Sequence, residues 1–329
     1  MDMQALARAE GSLGIALSGG GAKGAFQVGA IHELVTVRGV DFGIIGGTST
    51  GALQSIGLAQ DMVPELLDTW LSLKSEKDVY RKRLFGLAGA IFGANAMHDT
   101  KPLRALIEGF VDEAKVREVG KVLRLGVVNL QQGTFVGVDE TSKNLANWIY
   151  ASCAMPVYFD PLQTRTGSGG SLEQWVDGGV RDVTPLGAVL EAKPRAVLAV
   201  RASPTVKKPK LEPFSDLFEV AKRCVAIQTA ETEANDTERA RWVNDLLAAR
   251  KEQMEVLRAE GLDEAQIRRI CAPLEAELGG YVQAPVMVIE PEEEVSDTLQ
   301  FDPVVIRRAI DLGRRAVDER WEELERLFE

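Results

Sequence analysis

Histidine is nearly missing from this chain: only His32 and His98 occur in 329 residues. A mechanism built on a histidine base has little to draw on. Cysteine is scarce as well. Cys153, Cys224 and Cys271 are scattered, with no C-x-x-C and no metal-ligand spacing, so the expectation is a reduced, cytoplasmic compartment and no metal site. No apolar run reaches the ~18–20 residues of a membrane span. The start, Met1 to Glu10, is short, mixed and charged, unlike a signal peptide. Positive charge is in deficit: 38 Lys and Arg face 49 Asp and Glu, a net charge of -11. That argues against general affinity for nucleic acid or anionic membranes and leaves room for a local basic patch.

What is present is ample core material, 45% hydrophobic, in a length that allows one large domain or two smaller ones. The organising stretch is Gly43 to Leu53. It holds one G-x-S-x-G, Gly47-Thr48-Ser49-Thr50-Gly51, between an apolar β-prone run and a helical one. Strand, sharp turn and helix make a nucleophile elbow, which lifts a serine above a sheet. The flanking glycines fit because a Cβ there would meet a neighbouring strand or helix. The helix N-terminus supplies partial positive charge where a negative intermediate forms. A bare G-x-S-x-G is common, and a Ser/Gly-rich βα turn reads equally well from this motif alone.

Upstream, Leu13–Ser18 reads as a buried strand, Gly19-Gly20-Gly21-Ala22-Lys23-Gly24 as a glycine loop, and Ala25–Leu34 as a helix. Such a loop binds negative charge through backbone N–H groups. A Walker A loop fails, because no Gly-Lys-Ser/Thr follows. A dinucleotide fingerprint matches formally at Gly19, Gly21 and Gly24, but needs an acidic residue closing the next strand. Asp41 instead precedes that strand, which runs into the Ser49 turn. An oxyanion hole facing Ser49 is the favoured reading.

Val63 to Arg83 reads as an amphipathic helix, with Leu66, Leu67, Trp70, Leu71 and Leu73 on its apolar face. Leu84 to Met97 is the most hydrophobic stretch. It is read as a buried helix, with an interfacial or lid segment as the alternative. Asp99 or Thr100 caps a helix whose first turn holds Pro102. Val122–Leu130 and Thr134–Val138 read as a hairpin, Asn144–Met155 as a helix stopped by Pro156, and Tyr158–Thr166 with Gln174–Val176 as a second strand pair joined by Gly167-Ser168-Gly169-Gly170. This pair delivers Asp177-Gly178-Gly179, a carboxylate on a tight turn, though Asp-Gly also marks ordinary turns. A helix from Pro185 and a strand over Ala196–Val200 follow. Lys207, Lys208 and Lys210 sit on a solvated loop. Leu217 to about Arg258, broken at Gly261 and resumed from Asp263 to Leu278, reads as a charged helical hairpin, a surface insertion or contact arm. Pro285–Ile289 is the last strand, Glu292, Glu293 and Glu294 lie on a loop, and Phe301-Asp302-Pro303 leads into the final helix.

These pieces resemble the patatin-like phospholipases. Gly19-Gly20-Gly21-Ala22-Lys23-Gly24 is similar to that family's G-G-G-x-[RK]-G. Gly47–Gly51 resembles its G-x-S-x-G with the following Ala52-Leu53. Ala151-Ser152-Cys153-Ala154-Met155-Pro156-Val157-Tyr158-Phe159 resembles its A-S-x-A-x-P-x-x-F, and Asp177-Gly178-Gly179 its D-G-[GA]. The match runs in order from about Leu13 to Val200. The resemblance implies a three-layer α/β/α fold with a mostly parallel sheet, to which the residue pattern adds a C-terminal helical arm. Resemblance and residue pattern together divide the chain into a catalytic core over 11–205, a helical region or arm over 206–280, and a last strand and C-terminal helix completing the core over 281–329. The resemblance also implies lipid acyl-ester hydrolysis by a Ser-Asp dyad, which the histidine shortage independently favours.

Ser49 is then the nucleophile and Asp177 its base. A free aspartate, with a pKa of about 3.9, is a weak base, so burial must raise it. Gly20 and Gly21, with Gly19 or Ala22, supply the oxyanion hole. Lys23 orients the loop, attracts a lipid phosphate, or is simply solvated. Gly24, Gly47, Gly51, Gly178 and Gly179 support the turns. No cofactor is called for. The expected partner is a phospholipid or other acyl-ester lipid, met at a membrane surface by a cytoplasmic protein in peripheral contact, with no nucleic acid. A carboxylesterase on soluble esters and a non-catalytic lipid-binding protein are the alternatives. Head group, acyl position and any activator are left open.

Overall fold

The structure is a computed structural model that describes residues 9–83, 95–165, 170–206, 209, 211–278 and 280–329. Most of the apolar run Leu84–Met97, the glycines of the Gly167–Gly170 loop apart from Gly170, and Lys207, Lys208 and Lys210 lie outside the described residues. In chain order, β1 (Leu13–Leu17) leads through the glycine loop into α1 (Gly24–Ile31), and β2 (Ile44–Gly47) into α2 (Thr50–Ala59). Then come α3 (Val63–Ser72), the short β3 (Arg81–Lys82) and β4 (His98–Asp99), α4 (Lys101–Phe110) and α5 (Glu113–Val119). The sheet resumes with β5 (Val122–Asn129) and β6 (Thr134–Val138). It is followed by α6 (Leu145–Cys153), β7 (Leu162–Arg165), β8 (Leu172–Asp177), α7 (Leu186–Leu190) and β9 (Ala196–Val200). The chain closes with α8 (Leu217–Ala259), α9 (Glu264–Leu278), β10 (Val286–Ile289), α10 (Pro303–Glu319) and α11 (Trp321–Phe328).

The eight-stranded sheet is parallel from β10 through β9, β1 and β2 to β5, and antiparallel where β6 and β8 pair with β5 and β7 pairs with β8. β1 and β9 are buried along their whole length, as strands covered on both faces must be. Alternation sorts their side chains. Ile15, Leu17, Ile45, Leu123 and Leu198 face the larger core, shared with α1, α2, α3, α6 and α10. Ala16, Ile44, Val122, Val197 and Ala199 face a thinner one, shared with Leu186 and Val189 of α7 and Ala240 of α8. The result is the three-layer α/β/α sandwich expected from the sequence.

One expectation changes and one gains detail. The helix read over Val63–Arg83 ends at Ser72. Ser75 and Asp78 then close a capping box on a short helical turn, and that reciprocal capping starts a new element rather than extending the old one. The charged helical hairpin is not only a surface arm. Ala240 and Leu247 of α8 are buried, and α8 is anchored by polar contacts that composition does not advertise. Thr184 donates to Glu233 Oε1 at 2.7 Å. Arg201, 4% exposed, donates through Nη2 to the Glu233 carbonyl and to Thr237 Oγ1, each at 2.6 Å, and pairs with Glu290 at 3.2 Å. Removing the buried cation takes one donor from each of these acceptors and leaves the partly buried Glu290 without its ion pair. Arg201→Ala is therefore expected to cost about 3 kcal/mol, read as a lower denaturant midpoint by circular dichroism.

Candidate active site

The pairing registers bring Ser49 and Asp177 together. β6 pairs Leu125–Asn129 of β5 and β8 pairs Val127–Asn129, so these two strands take opposite edges of β5. β2 pairs Val122–Leu125 and shares Leu125 with β6, which puts β2 on β8's edge. β2 and β8 run in opposite directions and meet end to end, Gly47 opposite Leu125 and Asp177 opposite Val127. Gly126, between those two partners, lies against both turns. A Cβ on Gly126 would stand 3.3 Å from Thr48 Oγ1, and one on Gly178 would strike the Gly126 carbonyl oxygen at 2.4 Å.

Ser49 has φ 56° and ψ -124°, a conformation rare for a residue with a side chain and held only where surroundings fix it. Gly47 and Gly51 permit it. A Cβ on Gly47 would meet the Gly51 carbonyl oxygen at 2.3 Å, and a Cβ on Gly51 the Leu17 carbonyl oxygen at 2.2 Å. The Ala151–Phe159 segment supplies the clamp. The Ser49 N–H donates to Ser152 Oγ at 3.0 Å, the Cys153 thiol to the Ser49 carbonyl at 3.1 Å, and the Asp177 N–H to the Ala154 carbonyl at 3.0 Å. Three successive residues thus hold both backbones of the Ser-Asp pair. Burial, followed by the nearby Asp177 carboxylate, pushes the Cys153 thiol well up, so Cys153 stays a neutral donor rather than a nucleophile.

Asp177 is 6% exposed and ends β8. Its Oδ1 accepts the Gly179 N–H at 2.8 Å. Burial raises its pKa to about 6, against the opposing hydrogen bonds from the Ser49 hydroxyl and the Gly179 N–H. Desolvation is the dominant cause, and it moves a weak base toward neutral pH.

The glycine loop faces the same point: a Cβ on Gly19 would stand 3.2 Å from Ser49 Cβ. Of its N–H groups, Gly19's donates to the Val183 carbonyl at 2.9 Å and Ala22's to the Thr298 carbonyl at 2.8 Å. Among the described residues, none accepts from the N–H of Gly20 or Gly21. The candidate donors are thereby narrowed to these two. Gly21 has φ +59°, and a Cβ there would strike the Thr298 carbonyl oxygen at 2.2 Å. Lys23 reaches Glu294 Oε2 at 2.5 Å and Ser203 Oγ at 3.1 Å, tying the loop to the acidic 292–294 segment. Gln27, fully buried, donates to the carbonyls of Ser18 and Val200 and fixes the base of the loop. Gly24 sits against Thr50 and Gln54, so the loop also packs on the α2 N-terminus.

Ser49, Asp177 and the glycine loop open on a cavity of about 1050 Å³. Its walls are largely aliphatic and aromatic, from α2, α3 and α4, with Val225 and Thr229 of α8 on another side. Neither histidine joins it: His32 follows α1, and His98 stacks on Tyr80 with ring centroids 4.6 Å apart.

The profile of the patatin-like phospholipase family matches residues 15–190, more than half of the chain, and the protein belongs to that family, a lipid-acting hydrolase fold. It is similar to the uncharacterized protein YqhO of Bacillus subtilis (strain 168), 24% identical over 231 residues, which are 62% of this chain and 78% of YqhO. Among solved structures it is similar to VipD from Legionella pneumophila, with 16% identity and a TM-score of 0.43. That match covers 94% of this chain and 66% of the VipD chain. Among the described residues no helix is long and apolar enough to cross a membrane.

Proposed function

We propose that this protein is a lipid acyl hydrolase of the phospholipase A kind. Ser49 Oγ attacks the ester carbonyl and gives its proton to Asp177, and the oxyanion is held by the N–H groups of Gly20 and Gly21. Collapse expels the alcohol, which takes the proton from Asp177. Asp177 then draws a proton from water as its oxygen attacks the acyl-enzyme carbonyl, and collapse of that intermediate breaks the bond to Ser49 Oγ, which takes the proton back from Asp177 as the fatty acid leaves. In this reading 11–205 with 281–329 form the catalytic core, and 206–280 form a helical flank of the cavity. The enzyme acts in the cytoplasm, touching a membrane peripherally.

The observation that carries this reading is the large apolar-walled cavity opening directly on Ser49 and Asp177. A site for small soluble esters needs no such apolar volume. The test is fatty-acid release from mixed phospholipid vesicles beside turnover of a monomeric short-chain ester. Faster turnover on vesicles is the expected result. Faster turnover on the monomeric ester replaces the proposal with a carboxylesterase. Silence on both, with vesicle binding retained, replaces it with a lipid-binding protein.

A further inference from the structure

β10 forms one edge of the large sheet. On its inner side the Val197 N–H donates to the Pro285 carbonyl and the Arg201 N–H to the Ile289 carbonyl, each at 2.8 Å. In a parallel pair alternate residues turn their backbone groups to the neighbour. Pro285, Met287 and Ile289 therefore face β9, and Val286 and Val288 face outward. An outward edge is a template for another strand, and proteins cover it. Here the cover is partial. Asn244 of α8 bonds the N–H and the carbonyl of Ala284, at 2.9 and 2.7 Å. Arg320 Nη1 donates to the Val288 carbonyl at 2.6 Å. Between these caps the Val286 N–H, the Val286 carbonyl and the Val288 N–H have no partner among the described residues.

What is left free matches one direction of pairing. A residue of a parallel strand donates its N–H to one carbonyl and accepts the N–H two positions further on. The Val286 carbonyl and the Val288 N–H are such a set. An antiparallel strand exchanges both bonds with each outward residue, and at Val288 the carbonyl is already held.

A groove of about 530 Å³ lies on this edge, lined by β10, by Arg241 of α8 and by Arg320, Glu323 and Arg326 of the α11 end. Val286 and Val288 pack on the thinner core with Ala240 of α8, and Met287 on the larger one with Leu324 of α11. The two helices thus flank opposite faces of β10 and bring arginine to both. Arg320 is paired with Glu323 at 2.8 Å. Arg241 and Arg326 are exposed, and among the described residues neither meets a carboxylate. In a chain of net charge -11 this is a local excess of positive charge. An extended strand sends successive side chains to opposite faces, so two adjacent carboxylates would face Arg241 and Arg326, one each. A second copy of this chain is a poor occupant, because a two-fold axis would set the same arginines against one another.

We propose that the β10 edge is a strand-addition site that takes an extended acidic segment of a partner protein, parallel to β10. The probe is an acetylated, fluorescein-labelled octapeptide of threonine and valine with two adjacent central glutamates, followed by anisotropy. Binding is expected. Replacing both glutamates by lysine is expected to weaken it about tenfold or more, as are Arg241→Glu and Arg326→Glu, each at an exposed position. N-methylation of the probe is expected to weaken binding about fivefold at one amide and to be tolerated at the two amides beside it. Amide exchange read by NMR, which needs no variant, is expected to slow on peptide addition at Val286 and Val288 and to stay as it was at Met287 and Ile289, which β9 already bonds.

Binding weaker than about 1 mM overturns the proposal. So does binding that N-methylation weakens at no position, which is adhesion by charge alone. Exchange at Val286 and Val288 that slows with protein concentration in the absence of peptide gives the edge to a second copy, and overturns it too. The site is independent of the hydrolase reading, and Ser49→Ala is expected to bind the probe as the wild type does.

Discussion

Ser49→Ala is expected to abolish fatty-acid release, by about 10⁴-fold or more, since losing the nucleophile of a serine hydrolase removes most of its rate enhancement. The fold should barely notice. Among the described residues the side chain makes one polar contact, to Asp177, whereas the elbow's conformation is held through the Ser49 backbone by Ser152 and Cys153. Alanine retains those bonds and the same positive φ, so the melting temperature should stay within about 3 °C of wild type. The contrast is Ser152→Ala, which leaves the nucleophile in place but removes the acceptor of its N–H. Its expected effect is a smaller loss of rate, about tenfold to a hundredfold, together with a loss of stability of about 1–2 kcal/mol. The two variants are separated by measuring release from phospholipid vesicles and thermal unfolding on the same preparations. An active Ser49→Ala protein would remove Ser49 from the mechanism altogether.

The elements of this site were visible in the sequence to unequal degrees. The elbow was legible because its demands are local: two glycines, a serine, a strand before and a helix after. Asp177 was legible as a carboxylate at a strand end, but its pairing with Ser49 was legible only through the family resemblance. Its meeting with Ser49 depends on β2 and β8 lying end to end on β5, a register between segments far apart in the chain. The Ala151–Phe159 segment was recognised by its residues alone. Its role is carried by hydrogen bonds reaching about a hundred residues along the chain to Ser49, and no periodicity reports such bonds. Gly20 and Gly21 were already the first-named donors; what was hidden is that Val183 and Thr298 accept the N–H groups of Gly19 and Ala22. How the charged hairpin contacts the core was not legible, for a physical reason. Its docking uses small and polar residues, Ala240, Glu233 and Thr237, around the buried Arg201, so no apolar stripe announced it.

Asp177 gives the second large effect, and it has opposite signs for activity and stability. In the proposed mechanism the carboxylate must be ionised to take the Ser49 proton. With its pKa raised to about 6 by burial, the rate should be flat above about pH 7, half-maximal near pH 6, and fall about tenfold per pH unit below. For stability the sign reverses. The unfolded group releases its proton near 3.9, whereas the folded one holds it until about 6. Between those values the folded state binds more protons. Stability from this group is therefore fullest below about pH 4 and is lost as pH rises toward 6, by about 3 kcal/mol. Asp177→Asn removes that penalty. Its amide oxygen can still accept the Gly179 N–H, so at pH 8 the variant should be more stable than wild type by about 1–3 kcal/mol while losing about 10³-fold or more in rate. Asp182 is the control, a second carboxyl raised to about 7 by burial and by Asp236 and Glu233 of α8. Asp182→Asn should likewise add stability at pH 8, yet leave the pH 6 midpoint of the rate where it was. A rate profile that shifts with Asp182→Asn instead would move the titrating group out of the Ser49 turn and into the contact between α8 and the core.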